Sequence, residues 1–96
     1  MINIYTNTLK STIDNKNYHY IILNRLHIEI FHQYGKYYKD DCVAEDIIIH
    51  YLSDIEYYLI LYHKDRNLKN YYKKQININI ELLLNYLNEI KNGNYR

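Results

Sequence analysis

Residues 44–62 read AEDIIIHYLSDIEYYLILY, and the fold turns on how this stretch is read. Ala44, Ile47, Ile48, Tyr51, Leu52, Ile55, Tyr58, Leu59 and Tyr62 recur at the three- and four-residue steps of one helix face. Ile49, Ile60 and Leu61 add apolar surface outside that face. A helix apolar over so much of its circumference belongs at the centre of a bundle, touched on several sides. Whatever a small domain leaves uncovered is a surface for a partner, and leftover apolar surface on residues 47–62 offers a homodimer contact.

Upstream, residues 35–42 (GKYYKDDC) form the strongest break within the chain. Gly35 predicts the end of one helix, while Asp40 or Asp41 predicts an N-cap for the next, with Glu45 and Asp46 suited to its positive end. The helix that ends there runs from Asn17 to about Tyr34, since Leu23, Leu26, Ile30, Tyr34 and Tyr37 are spaced 3, 4, 4 and 3. Leu26, Ile28 and Ile30 also alternate with His27 and Glu29 as a strand would, but length and the lack of a turn dipeptide favour helix. Residues 1–16 hold a short alternation at Ile2 and Ile4 and then a Ser, Thr, Asp and Asn cluster, which predicts a brief extended piece and a cap.

Downstream, residues 63–75 (HKDRNLKNYYKKQ) are polar and basic and fit a helix extension or a loop. Ile80, Leu83, Leu84, Leu87 and Ile90 share one face of a last helix, which Lys91, Asn92 and Gly93 end. Its lead-in, Ile76 to Ile80, alternates and echoes the chain start, so a small two-stranded sheet in an α+β fold is the structural alternative. The primary expectation is an all-α protein, a compact bundle of three to four helices forming a single domain over residues 1–96, with a short N-terminal extended segment.

The chain has 96 residues and a formal net charge of +1, with 12 basic and 11 acidic side chains. That balance argues against a strongly basic phosphate binder and against a strongly acidic nucleic-acid mimic. No apolar run reaches the roughly 18 to 20 residues of a membrane-spanning helix, and residues 1–20 lack the pattern of a signal peptide, so the expected location is cytoplasmic. Isoleucine, asparagine, lysine and tyrosine make up 52 of the 96 residues, against one alanine, one valine and no proline. These are residues with A/T-rich codons, and the bias points to an A/T-rich genome such as those of many viruses, plasmids and low-GC bacteria. A domain this small leaves several of its 14 tyrosines exposed, each a rigid ring with a polar tip suited to interfaces.

Chemistry-bearing residues are few. Cys42 stands alone, with no Cys-x-x-Cys pair for zinc or redox work. His27, Glu29 and His32 come closest to a ligand set, but on a helix His27 and Glu29 are about 200° apart and cannot share an ion. No metal and no cofactor is therefore expected. Ser11 and Ser53 lack a glycine-bearing elbow, and two glycines are too few for a phosphate-cradling loop. Arg25 and His32 stand in an R-x6-H spacing that resembles the RxxxxH-type motif of HEPN-family ribonucleases. The resemblance covers residues 25–32 and implies an all-helical dimer in which His32 acts in acid–base cleavage of RNA while Arg25 steadies the phosphate.

Two surfaces remain as binding candidates. Tyr37, Tyr38, Asp40, Asp41 and Tyr57 predict a mixed aromatic and acidic surface able to dock on a basic groove of a host protein or protein–nucleic acid complex. Lys69, Tyr71, Tyr72, Lys73 and Lys74, with Lys36-Tyr37-Tyr38-Lys39, predict a nucleic-acid contact in which lysines follow phosphates and rings stack on bases. The first reading leads. It describes a small viral or mobile-element interaction protein, without enzymatic activity, that sterically inhibits a host protein such as a defence nuclease complex, in the manner of an anti-CRISPR or immunity protein. A nucleic-acid-binding regulator is second and an HEPN-like ribonuclease third.

Overall fold

The computed structural model describes residues 2–93 as α1 (Ile2–Ser11), α2 (Lys16–Tyr38), α3 (Cys42–Lys64), a 3-10 turn (Arg66–Leu68) and α4 (Lys69–Asn92). The long helices α2, α3 and α4, of 23, 23 and 24 residues, are joined by short connections and pack side by side in alternating directions. The bundle measures 41 × 21 × 18 Å. α4 lies mainly against α3, and α1 folds back on α2 and reaches α4 through an ion pair of Lys10 Nζ with Glu81 Oε1 at 3.2 Å. The protein is all-α, and no strand occurs among the described residues.

Local chemistry sets the helix ends. Asn15 Oδ1 accepts the Tyr18 N–H at the start of α2, and Asp41 Oδ1 accepts the Val43 and Ala44 N–H groups at the start of α3. Asp65 leaves the helical region at φ −113° and its Oδ1 accepts the Asn67 N–H, which breaks the chain between α3 and α4. Gly93 closes α4 in the left-handed region at φ 75°, its N–H reaching back to the last turn.

One core runs through all four helices. α3 contributes Ala44, Ile48, Leu52, Ile55, Leu59 and Tyr62, and α4 contributes Tyr72, Ile76, Ile80, Leu83, Leu87 and Ile90. From α2 come Ile22, Leu23, Leu26, Ile30 and Tyr38. Tyr34 and Tyr37, expected on the buried face, pack at its edge.

Three expectations are corrected. The chain start is α1 and not an extended segment: Ile2, Thr6, Leu9 and Ile13 are all buried at helical spacing, and that face outweighs the alternation of Ile2 with Ile4, whose side chain points to solvent. Residues 76–80 are likewise helical, with Ile76 and Ile80 in the core and Ile78 outside, so the two-stranded sheet does not form. Gly35 does not end α2, which continues one turn further to Tyr38.

Gly35 has ordinary helical geometry, and a Cβ added there meets the Phe31 ring at 3.5 Å, a normal contact. Gly35→Ala therefore raises stability by about 0.5–1 kcal/mol, because alanine loses less backbone freedom on folding. Denaturant titration should show a higher midpoint at unchanged slope.

Candidate functional site

One end of the bundle carries a polar cluster that spacing in the sequence does not reveal. His19 of α2 is 2% exposed, and its Nε2 lies 2.8 Å from the Thr12 carbonyl while its Nδ1 lies 3.1 Å from His63 Nε2 of α3. A carbonyl only accepts, so His19 donates from Nε2, its Nδ1 is the acceptor, and His63 donates across the gap. Beside this pair Tyr62 Oη donates to Asp14 Oδ1 at 2.7 Å, and Lys69 Nζ sits 3.3 Å from the same oxygen and 4.9 Å from the centre of the Tyr62 ring. Tyr72 Oη donates to Asp65 Oδ2 at 3.1 Å.

The electrostatics follow from these contacts. Burial pushes both imidazoles below their ordinary pKa; backbone hydrogen bonds, to Thr12 for His19 and to Ile13 for His63, oppose the shift in part. Asp14 opposes it for both rings, while Lys16 and Lys69 lower His63 further. The Tyr62 hydroxyl, then Lys69, holds the Asp14 carboxyl low, and the Asp14 bond raises the Lys69 ammonium. The cluster ties the α1–α2 corner to α3 and α4; it is a fastening within the fold.

A lowered histidine pKa means that the unfolded chain, which takes up protons near pH 6.5, binds more of them than the native state as pH falls. The pair's stabilisation is thus whole above about pH 7.5 and is lost progressively below about pH 6.5. His19→Ala removes one of the two donors to the Thr12 carbonyl, which keeps the Asn15 N–H, takes away the acceptor of the His63 N–H and opens a void, and costs about 2–4 kcal/mol at neutral pH. The penalty shrinks in mild acid, where the parent protein has itself lost stability. Urea denaturation of both proteins across this pH range measures the difference.

The aromatic and acidic residues singled out in the sequence do not form one surface. Tyr38 is 5% exposed and belongs to the core, Tyr37 is half-buried beside Tyr34, and Asp41 is the N-cap of α3. Asp40 is exposed in the α2–α3 turn, at the end of the bundle away from the His19–His63 pair, whereas Tyr57 is exposed about four turns along α3 from there. In the basic group Tyr72 is buried and Lys69 is engaged with Asp14, which leaves Tyr71, Lys73 and Lys74 exposed on α4. A buried ring cannot stack on a base, so Tyr38 and Tyr72 are withdrawn as contact residues.

α2 settles the remaining histidines. Glu29 accepts from Gln33 at 2.8 Å, His27 lines the groove between α2 and α3, and His32 stands exposed beside Phe31. Arg25 and His32 are both exposed, about two turns apart along α2. Among the described residues no three His, Cys, Asp or Glu side chains gather as metal ligands, and no helix is long and apolar enough to cross a membrane.

The most coherent surface is the outward side of α2. Tyr20 is 49% exposed, Ile21 56%, Ile28 49% and Phe31 63%, and they stand around the exposed amide of Asn24 as a mainly apolar stripe about three turns long on the side away from Leu23, Leu26 and Ile30. Ile21 and Ile28 are seven residues apart, and Phe31 follows three later, the spacing with which one helix seats another. A shallow groove flanks the stripe on each side. One of about 190 Å³ lies against α3 between Tyr20, His27, Ile49 and Glu56, and one of about 600 Å³ lies against α1 between Tyr5, Ile21, Arg25 and Ile28. Ile49 and Ile60 of α3, apolar but off its buried face, extend the patch. The signal for this surface is in the sequence: Tyr20, Ile21, Ile28 and Phe31, with Tyr18, are the large apolar residues of α2 that stand exposed outside its core face.

Comparison with protein-family models, with curated proteins and with solved structures finds no match to this chain.

Proposed function

We propose that the chain is a small helical interaction protein, encoded by a virus or other mobile element, that works in the host cytoplasm by covering a working surface of a host protein. The single observation that carries this reading is the exposed apolar stripe of α2, Tyr20, Ile21, Ile28 and Phe31, with a groove on either side. Large aromatic and branched side chains held on a long helix lose little freedom on binding, which suits them as interface anchors. The charges at the stripe, Arg25, Glu29 and Glu56, are of both signs, so the preferred partner surface is itself apolar at its centre with a mixed polar rim. The patch is sized for a helix or an edge of a partner. Occlusion requires no reacting group, only a complex long-lived enough to exclude the partner's substrate or subunit. The test is affinity capture with the tagged protein from lysate of its own host, with and without nuclease, and identification of retained protein by mass spectrometry. One host protein kept after nuclease treatment is the expected result. Recovery of nucleic acid alone, released by salt, would replace this reading with the regulator.

A further inference from the structure

Beside the histidine pair, where the start of α2 meets the end of α3, lies a pocket of about 170 Å³. Lys16, His19 and Tyr20 line it from α2, and Leu59, His63 and Lys64 from α3. Lys16 with Tyr20, and Leu59 with His63, are four residues apart, so each helix turns one side of its terminal turns to the pocket. We infer that this pocket binds a doubly charged oxyanion, a phosphate ion or the phosphate monoester of a small molecule, between the ammonium groups of Lys16 and Lys64. The inference does not rest on the α2 stripe, with which the pocket shares only the Tyr20 ring.

The argument is the balance of charge at this end of the bundle. No carboxylate lines the pocket. The two nearest in sequence are committed elsewhere: Asp14 takes the Tyr62 hydroxyl and Lys69, and Asp65 takes the Tyr72 hydroxyl and the Asn67 N–H. Lys16 and Lys64 therefore form no ion pair among the described residues. Helix electrostatics account for His63 and Lys64 in the last turn of α3, but Lys16 stands in the first turn of α2, where a cation is disfavoured and where no acidic residue offsets it. An anion beside Lys16 supplies the missing negative charge. Burial foremost, with Lys16 and Lys69 adding to it, holds the His63 imidazole below its ordinary pKa, so at neutral pH the pocket carries two positive charges, both on lysine, the complement of a dianion. The buried His19 and Leu59 make the inner wall and keep water from that side, which strengthens any charge pairing at the mouth. The volume falls below the roughly 300–1,000 Å³ of pockets that enclose a drug-sized ligand, and so suits one small charged group.

Titration with inorganic phosphate at constant ionic strength, followed by the histidine ring-proton NMR signals, tests this. The His19 and His63 signals should move along one saturable curve, while those of His32 and His50, exposed elsewhere, stay fixed. Lys16→Gln and Lys64→Gln should each weaken binding about tenfold, the loss of one charge-assisted contact, and Lys73→Gln on α4 should leave it unchanged. All three positions are exposed and glutamine favours helices, so the fold is retained. Adenosine 5′-monophosphate, run against adenosine, separates the two sources of the group. A monophosphate that binds more tightly than inorganic phosphate supports an ester carried on a small molecule, and one that binds no more tightly supports the free ion. Signals that do not saturate, that chloride moves as far, or that follow the same curve in both lysine variants would overturn the proposal, as would adenosine binding as tightly as its monophosphate.

Discussion

Ile55→Ala lowers the unfolding free energy by about 3 kcal/mol, whereas Ile49→Ala, fewer than two turns away on the same helix, costs under about 1 kcal/mol. Ile55 is fully enclosed at the middle of α3, while Ile49 is 41% exposed beside the α2 stripe. Truncation at Ile55 removes buried methyl groups and leaves a void between long helices whose backbones cannot close over it. At Ile49 the lost area was already partly in water. In a domain of this size the larger loss lowers the melting temperature by roughly 12–24 °C. Paired thermal melts of the two variants measure the difference, and equal shifts would contradict the placement of Ile55 inside the core and Ile49 outside it.

Much of this architecture was legible in the chain. α3 and α4 carry their core residues at unbroken helical spacing, and the structure buries Ile48, Leu52, Ile55, Leu59, Ile80, Leu83, Leu87 and Ile90 as that spacing requires. At the chain start Ile2 and Ile4 alternate as in a strand, while the burial of Thr6 and Leu9, which makes the segment a helix, comes from packing on α2. Gly35 is a strong stop signal on its own, but its backbone keeps ordinary helical geometry and α2 passes through it to Tyr38. At 76–80 a strand-like alternation of Ile with Asn coexists with a helical face, and the helical face continues into α4.

The site was less legible. Tyrosine counts as apolar body or as polar tip depending on surroundings, and nothing in the letters distinguishes Tyr38 and Tyr72, both buried, from Tyr57 and Tyr71, both exposed. The histidines nearest one another in sequence, His27 and His32, serve no joint purpose in the fold, whereas His19 and His63 meet across 44 residues. Pairings of that kind follow from the tertiary packing of α2 on α3. The α2 stripe was present as residues left over from the core face, and it acquires meaning only once α1 and α3 are seen to leave it open.

Charging the stripe has the largest functional effect expected. Ile28→Glu with Phe31→Glu places two carboxylates at the centre of an apolar contact, where each must be desolvated without a partner, and reduces affinity for the captured host protein by at least about 100-fold. Both positions face solvent in the free protein and glutamate favours helices, so the fold is retained. The decisive measurement compares capture of that host protein by the parent chain, by this double variant and by Asn88→Lys, an exposed change on α4, with circular dichroism confirming equal helix content. The expected result is capture lost with the double variant alone. Full capture by the double variant, folded and helical, would contradict the central claim that α2 is the working surface.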